Sequence, residues 1–357
     1  MPIDIPGYAV VRSIPHQGVS VVTLVEHPVF GDHVVLKRFD TLGLEDAVAF
    51  QEPQLLHEFA HDNIAPIHDA TTEIEGGLRT VTIHMPYFES GSVYDLLMGA
   101  GSLSVGLSVS LARDVLSALS HVHNTHGVVH RDIKPANILL GGANGPALLT
   151  DFGSAARMNA EGQVRASLGR SPLYQPPEAE SGVQGDIYST GMTLFEMVNG
   201  PFPYEDLDYQ RVVDRLNSGL RALPNRMLRH NPWVPRQLRT VINRALNSDP
   251  QSRQQTATAF RAQLMRCRFI DWSLIAGEPP LATWEGSWVT RRGSDRYRVE
   301  CAPSRGTRVR IKALREYPSG WRTCGVPQAV ASRENADGAL EDAFNAVLVA
   351  AANHRPA

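Results

Sequence analysis

The sequence has few cysteines, no long apolar run and little net charge, and these absences argue against several classes of protein. Its three cysteines, Cys267, Cys301 and Cys324, are odd in number and not at metal-ligand spacing, so they indicate reduced thiols rather than a disulfide framework. No apolar run approaches the roughly 18 residues that a membrane span requires, and residues 1–8 lack the basic start and apolar stretch of a signal peptide. The net charge of −3 gives no overall bias toward one class of partner. We therefore expect a cytoplasmic protein that does not act at a membrane.

The distribution of apolar residues changes along the 357-residue chain, which is long enough for about two domains. Alternating and β-branched segments predict strands near residues 8–12, 19–25, 34–39 and 80–85, with one helix at 44–59 between them. After Gly91, helical spacing of apolar residues predicts helices near 107–124, 187–198, 212–216 and 238–246. A strand-rich half followed by a helix-rich half indicates an α+β fold with a cleft between the two.

The C-terminal part of the sequence has a different pattern. A turn-rich stretch, Ala-Gly-Glu-Pro-Pro at 276–280, predicts a linker at 273–282. Strand periodicity then returns, for example at 297–301 and 309–314, and a helix follows near 339–352. We expect residues 283–357 to form a small accessory domain of sheet and helix, folded separately as a recognition or regulatory module.

The densest chemical signal lies at residues 130–153. His-Arg-Asp-Ile-Lys-Pro-Ala-Asn occupies 130–137, and Asp-Phe-Gly occupies 151–153. In phosphoryl transfer a carboxylate accepts the proton of the attacking hydroxyl, a lysine neutralises charge on the phosphate, and an amide and a second carboxylate hold magnesium. Any one of Asp132, Asn137 and Asp151 could be an ordinary turn or cap residue. Chance rarely assembles all of them at this spacing, so the set indicates phosphoryl transfer.

With these motifs the sequence resembles the eukaryotic-type (Hanks-type) serine/threonine protein kinase family, from about residue 8 to residue 269. The resemblance implies a bilobal kinase domain at 1–272, with an N-lobe at about 1–88 and a C-lobe at 89–272. It implies ATP and magnesium as cofactors and serine or threonine hydroxyls of proteins as acceptors, in a regulatory enzyme that also phosphorylates itself. The family's roles fall on Asp132 as catalytic base, Lys134 as phosphate-facing lysine, and Asn137 and Asp151 as magnesium ligands.

The same resemblance assigns the ATP site. Val-Val-Leu-Lys at 34–37 is similar to the strand that presents the ATP-binding lysine, here Lys37, and its helix partner falls on Glu52. Pro53 follows directly, and a proline costs about 3 kcal/mol inside a helix but is tolerated in the first turn. Either a helix begins near Gln51, or Glu58 is the partner. The other nucleotide-binding positions implied are Val22, Val35, Met85, Pro86, Phe88 and Leu139.

One stretch departs from the family. The glycine-rich loop falls on residues 14–22, where Pro15, Gln17 and Ser20 occupy the glycine places. Glycines there let backbone N–H groups approach the phosphates, so their loss predicts weaker nucleotide binding or a more rigid lid. A pseudokinase or nucleotide-binding scaffold that acts through its C-terminal domain is the alternative. Lys37, Asp132 and Asp151 are all present, which favours an active enzyme.

Residues 171–178 resemble the end of the family's activation segment, which is the platform on which protein substrates lie. This resemblance argues against a small-molecule acceptor. In the family, the glutamate at 178 pairs with the arginine at 253, and the segment 186–191 begins the helix that supports the catalytic loop. Ser167 is the candidate phosphorylation site, because the arginine at 131 resembles one that holds a loop phosphate.

Two further clusters leave alternatives open. His121, His123, His126 and His130 suggest zinc, but their places at a helix end and before the catalytic loop also explain them. From 284 to 325 there are ten Lys and Arg against four acidic residues, and strand alternation puts most of the basic groups on one face. That face predicts nucleic acid, an acidic partner or the kinase's own surface as its contact, or simply a solvated face.

Overall fold

The computed structural model describes residues 7–15, 20–41, 46–75, 78–143, 145–159, 161–162, 164–165, 171–178, 180–290 and 293–353. The N-terminal lobe is built on an antiparallel sheet of β1 (Ala9–Ile14), β2 (Val21–Glu26), β3 (His33–Asp40), β4 (Asp69–Glu75) and β5 (Leu78–Pro86). The strand order is β1-β2-β3-β5-β4, so β3 lies in the middle with β2 and β5 on either side. Alternate apolar side chains of β2 and β3 form a small buried cluster on one face, around Val25, Val34 and Leu36.

The segment between β3 and β4 contains two short helices, α1 (Asp46–Ala49) and α2 (Gln51–Glu58), with Phe50 between them. Pro53 is the third residue of α2, in the first turn, where a backbone N–H has no intrahelical acceptor. The separate start near Gln51, which the sequence left open, is therefore the one observed. It leaves Glu52 buried in the first turn of α2.

The C-terminal lobe is helical. Its helices are α3 (Val93–Ala100), α4 (Val105–His126), α5 (Val183–Asn199), α6 (Tyr209–Asn217), α7 (Arg236–Ala245) and α8 (Ala257–Arg266). Short strand pairs join the segments around the catalytic loop: β6 (Val128–Val129) with β9 (Ala156–Arg157), β7 (Ile138–Leu140) with β8 (Ala147–Leu149), and β10 (Val164–Arg165) with β11 (Glu180–Ser181). Helix α5 is buried over almost its whole length and contacts α4, α7 and α8. The bilobal α+β fold predicted from the sequence is confirmed.

The described residues after α8 form one further sheet and a helix. The strands are β12 (Asp271–Glu278), β13 (Leu281–Thr290), β14 (Gly293–Pro303), β15 (Arg308–Tyr317), β16 (Gly320–Thr323) and β17 (Ala329–Ser332), and the helix is α9 (Ala336–Asn353). The order is β12-β13-β14-β15-β16, with β17 also paired to β15. Helix α9 packs Leu340, Phe344 and Val347 against the alternate buried side chains of this sheet.

The linker predicted at 273–282 is wrong. These residues form an antiparallel hairpin in which β12 pairs with β13 from Asp271 opposite Ser287 to Glu278 opposite Leu281. The two prolines at 279 and 280 occupy the turn of this hairpin rather than a free connection. The pairing satisfies the backbone groups of the strands, and Trp272 is buried in the core beneath α9. The C-terminal sheet thus begins directly after the helical lobe.

The C-terminal domain is attached to the helical lobe by several contacts. Trp233 packs against both hydrophobic cores, with its ring 6.2 Å from that of Trp284. Arg236 at the start of α7 bonds Asp342 of α9 at 2.6 Å, and the Asp271 carboxylate accepts from the Gly106 N–H at 2.6 Å. A Cβ at residue 106 would lie 2.4 Å from that carboxylate, so this close approach requires glycine. Within the described ranges of the chain, no helix is both long and apolar enough to cross a bilayer.

Candidate active site

Three charged side chains meet where the lobes face each other. Lys37 of β3 donates from Nζ to Glu52 Oε1 of α2 at 2.6 Å and to Asp151 Oδ1 at 2.7 Å. All three are buried. Burial lowers the pKa of Lys37, but the two carboxylates outweigh it and raise the pKa above its ordinary value, so the ammonium stays charged. Two carboxylates around one ammonium leave an excess of negative charge, which suits a bound cation.

The pairing of Lys37 with Glu52 agrees with the expectation from the sequence. The fallback, Glu58, lies at the other end of α2 and is exposed. Its carboxylate bonds His126 Nδ1 at 3.0 Å and Arg157 Nη2 at 3.1 Å, both in the C-terminal lobe. Glu58 therefore joins the end of α2 to α4 and to β9.

The catalytic loop brings three predicted residues into one hydrogen-bonded group. Asp132 Oδ2 accepts from Asn137 Nδ2 at 2.9 Å and lies 3.0 Å from Lys134 Nζ. Asn137 Nδ2 also donates to the backbone oxygen of Asp132 at 2.8 Å. Lys134 Nζ donates in turn to Ser171 Oγ at 2.6 Å. These neighbours thus fix the orientation of the Asp132 carboxylate. A general base needs a fixed orientation because it must lie within hydrogen-bond reach of the substrate proton.

The residues predicted to hold magnesium offer suitable atoms. Both hydrogen bonds of the Asn137 amide nitrogen go to Asp132, which leaves its Oδ1 as an acceptor for a cation. Asp151 supplies a carboxylate, and the Thr150 N–H donates to the Asn137 backbone oxygen at 3.1 Å, which holds the two segments side by side. Carboxylate and amide oxygens are the hard ligands that magnesium prefers. The donor set therefore fits Mg²⁺.

A buried carboxylate of α5 stabilises the catalytic loop through hydrogen bonds to its backbone. Asp186 accepts from the backbone N–H groups of His130 and Arg131, each at 2.8 Å, and contacts His123 Nε2 at 2.7 Å. Arg131 has φ of 70°, a conformation that costs a non-glycine residue about 1 kcal/mol or more. Burial alone would raise the pKa of Asp186, but the hydrogen bonds from His123 and the backbone outweigh it and lower the pKa. The carboxylate therefore stays ionised and stabilises the strained turn before Asp132.

Replacing Asp186 with Asn is expected to lower the free energy of unfolding by about 2 kcal/mol at neutral pH, because hydrogen bonds to a charged acceptor are lost. The lowered pKa also sets the sign of the pH dependence. The stabilisation by Asp186 is complete above its pKa in the unfolded chain and is lost as pH falls through the folded value. Denaturant unfolding at neutral and acid pH should give a flatter pH profile for the variant. Parallel profiles for the two proteins would contradict this expectation.

The six other nucleotide-binding candidates lie on the N-terminal sheet, in the connection that follows it, and on β7. Val22 lies opposite Lys37 on β2, and Val35 lies opposite Met85 where β3 pairs with β5. Pro86 ends β5, Phe88 follows in the connection to α3, and Leu139 lies on β7. All six are buried or half-buried. Residues 16–19 of the predicted phosphate loop and Ser167 lie outside the described residues.

Sequence reasoning missed two polar contacts of the site. Gln51 Nε2 donates to the backbone oxygen of Ala155 at 2.5 Å, which ties the start of α2 to the segment after Asp151. Ser171 accepts from Lys134 across 37 positions of the chain. Ser171 does begin the stretch that resembles the end of an activation segment, but nothing in the local pattern indicates its partner.

The clustered histidines separate in the structure. His123 bonds Asp186, and His130 lies 3.0 Å from the Thr150 backbone oxygen, so both belong to the support of the catalytic loop. His121 and His126 lie on the outer side of α4, with His126 turned to Glu58. Across the described part of the chain, no group of three or more His, Cys, Asp or Glu side chains could hold a metal ion.

The chain is similar to several curated protein kinases. It is 29% identical over 266 residues to the serine/threonine-protein kinase PrkC of Bacillus subtilis, a match that covers 72% of this chain and 40% of that protein. It is 27% identical over 254 residues to sperm motility kinase 2B of Mus musculus, with 70% of this chain and 50% of that protein covered. It is 27% identical over 258 residues to the SNF1-related protein kinase catalytic subunit alpha KIN12 of Arabidopsis thaliana, a match that covers 70% of this chain and 49% of that protein. The chain thus spans about half the length of these relatives, or less.

The match to a family model covers the two lobes that form the site. Residues 8–265 match the protein kinase domain, which is well over half of the chain, while the C-terminal sheet and α9 lie beyond the matched region. The site geometry and this match agree, and the chain belongs to the protein kinase family.

Proposed function

We propose that the protein transfers the γ-phosphate of ATP, in the presence of magnesium, to serine and threonine hydroxyls of proteins, its own chain among them. The observation that carries the proposal is the pairing of Lys37 with Glu52 and Asp151, on the same cleft as the hydrogen-bonded group around Asp132. The relatives named as serine/threonine kinases support the choice of acceptor.

When bound, ATP with its magnesium supplies the transferable phosphoryl group and part of the charge neutralisation. Lys37, held by Glu52, binds phosphate oxygens as a fixed cation. Asn137 and Asp151 would hold the metal through oxygen atoms. Asp132 orients the acceptor hydroxyl and takes its proton, and Lys134, 3.0 Å from that carboxylate, neutralises charge on the phosphate as the proton moves.

A protein acceptor is favoured over a small molecule because residues 171–178 form an anchored platform beside the catalytic loop. Ser171 bonds Lys134 at one end, and Glu178 bonds the buried Arg253 at the other. Between them, the Tyr174 backbone oxygen accepts from Ser189 of α5 at 2.8 Å. A platform fixed at several points can hold an extended peptide with its hydroxyl near Asp132.

A pseudokinase or scaffold is the less favoured function. The lysine, the loop aspartate and the metal-binding aspartate are all present, and they have the contacts that the chemistry needs. The deciding experiment is phosphate transfer from labelled ATP to a generic protein acceptor, with magnesium and with a chelator in excess. We expect labelled phosphoserine and phosphothreonine with magnesium only. If no label is transferred in either condition although ATP binding is measurable, the scaffold function would be favoured.

Replacing Pro15, Gln17 and Ser20 together with glycine is expected to tighten ATP binding several-fold. Glycine N–H groups can approach the phosphates more closely, and a proline has no N–H to donate. Titration calorimetry with ATP and magnesium measures the effect, and a change of Pro28, in the β2–β3 turn, to glycine serves as a control outside the loop. Unchanged or weaker binding would mean that the native loop already closes well over the phosphates.

A further inference from the structure

The sheet of the C-terminal domain has an inner face that packs on α9 and an outer face that carries charged side chains. On one half of the outer face the charges are neutralised within the sheet. Arg296 bonds Glu285 at 2.5 Å and Glu316 at 3.0 Å, and Arg298 also bonds Glu285. The Arg298 guanidinium lies 4.2 Å from the ring centre of Trp321, which it covers. This half of the face has its own counterions.

The other half carries cations that have no counterion among the described residues. Arg308, Arg310 and Lys312 occupy alternate positions of β15 and are all exposed. None of the three forms an ion pair with any residue that the structure describes. Glu300 lies opposite Lys312 in the sheet, but its ion pair is with Arg298 at 3.6 Å. We refer to Arg308, Arg310 and Lys312 as the basic strip.

The cross-strand neighbours of Arg308 and Arg310 are uncharged, whereas Lys312 lies opposite Glu300. Arg310 lies between Ala302 of β14 and Val330 of β17, and Arg308 lies opposite Ser332. Val330 is 55% exposed, so an apolar side chain is available beside the cations. Positive charge and a small apolar surface are thus presented together along one strand.

We propose that the basic strip is a docking surface for an acidic segment of a protein partner, bound in extended conformation. Alternate side chains of a strand lie about 7 Å apart, and alternate side chains of an extended peptide have the same spacing. Glu or Asp at every second position of such a peptide therefore matches the basic strip. Charge complementarity of this kind fixes both register and partner.

An acidic peptide fits this surface better than nucleic acid does. Faces that bind single strands without base pairing use exposed aromatic rings for stacking, and the ring of Trp321 on this face is covered by Arg298. The strip is also one strand wide, and the net charge of the whole chain is −3. Both features are unfavourable for the many phosphate contacts that binding to nucleic acid requires.

The position of the domain gives the docking surface a role, which rests on the proposed kinase function. Helix α9 is fixed to α7 by ion pairs of Arg236 with Glu341 and Asp342, and of Arg239 with Glu341. A protein held at the basic strip is therefore tethered at a fixed place relative to Asp132. Tethering raises the effective concentration of a phosphorylation site elsewhere on the same protein.

Binding is tested on the full chain with a fluorescein-labelled ten-residue peptide of alternating Glu and Val, by fluorescence anisotropy. The double change Arg308→Glu and Arg310→Glu is expected to weaken binding about tenfold, since two attractions become repulsions of modest size each. The matched control, Arg226→Glu with Arg229→Glu, makes the same charge change at exposed arginines of the helical lobe and should leave the affinity unchanged. Added salt should weaken wild-type binding and reduce the difference between the proteins.

Equal affinities of the wild type and the Arg308/Arg310 variant would overturn the proposal, as would an equal loss in the control. Tighter binding of a ten-nucleotide oligothymidylate than of the peptide would overturn it in favour of nucleic acid. If the charge reversal unfolds the domain, Arg308→Gln with Arg310→Gln replaces it, with an expected loss of about threefold.

The role in recruitment is tested by kinetics on a serine peptide with and without an acidic tail on a Gly/Ser linker. The tail should lower KM and leave kcat unchanged, and the Arg308/Arg310 variant should lose only this difference. A tail with no effect on the wild-type KM would overturn the recruiting role. Failure to phosphorylate even the untailed peptide would instead refute the proposed function, and the binding measurement alone would then decide the docking surface.

Discussion

Replacement of Asp132 by Asn is expected to lower the rate of phosphoryl transfer by a factor of about 100 to 10,000, the usual range for loss of a general base. The amide has the same shape as the carboxylate, but it cannot take the proton of the acceptor hydroxyl. ATP affinity should change little, because Lys37, Glu52 and Asp151 do not depend on this side chain. Initial rates at saturating ATP and calorimetric ATP binding measure the two effects separately.

The control for this prediction is Asp206→Asn, which removes the same charge from an exposed carboxylate of the helical lobe. Its rate should equal that of the wild type. If Asp132→Asn retained more than about a tenth of the wild-type rate, the loss would be too small for a general base and the assignment would be wrong.

Replacement of Glu178 by Gln is expected to lower the free energy of unfolding by about 3 to 5 kcal/mol, since it leaves a buried charge without its partner. The Arg253 side chain is fully buried, and its two terminal nitrogens bond the two oxygens of Glu178 at 2.6 and 2.7 Å. The guanidinium cannot lose its proton, so the charge remains when the carboxylate is removed. Its position 4.9 Å from the ring centre of Tyr188 holds it in place. Denaturant unfolding at neutral pH gives the difference.

An exposed pair in the same protein provides the comparison. Arg296 bonds Glu316 at 3.0 Å, but the arginine side chain is 49% exposed. Water can replace the lost carboxylate, so Glu316→Gln should cost less than about 1 kcal/mol. Similar losses of stability for Glu178→Gln and Glu316→Gln would mean that burial of Arg253 contributes nothing, and the prediction for Glu178 would then be wrong.

Much of the site could be predicted from the sequence because its residues lie in short motifs. Asp132, Lys134 and Asn137 fall within six positions, and such a loop can bring them together without distant constraints. Glu52 was assigned from the family resemblance despite Pro53, and the proline is accommodated because α2 begins at Gln51 and places it in the first turn. The short motifs, with the family resemblance that they carry, therefore sufficed for the lobes and for the charged group of the cleft.

Elements without a local signal were missed. Strand β4, Asp69–Glu75, is an edge strand of mostly exposed polar residues, so apolar alternation does not reveal it. The Pro-Pro pair at 279–280 indicated a break, but a turn and a linker have the same composition. The contact of Lys134 with Ser171 arises from the tertiary fold and has no sequence pattern.

The C-terminal domain was predictable only in part. Alternation in β14 and β15 gave the buried face correctly, with Val299, Ile311 and Ala313 inside. Which arginines are neutralised depends on the register between strands, which sets Glu285 opposite Arg298. Register follows from turn geometry and from the pairing of whole strands, so the division of the outer face into a neutralised half and a basic half was not visible in the sequence.

The central claim is that the cleft transfers phosphate and does not only bind nucleotide. The most direct test is single-turnover transfer from ATP with magnesium to a serine peptide, with ATP binding measured on the same samples of wild type and Asp132→Asn. We expect both proteins to bind ATP equally and phosphoserine to accumulate at least about 100 times faster with the wild type. Equal ATP binding with no transfer by the wild type above the rate of Asp132→Asn would contradict the claim.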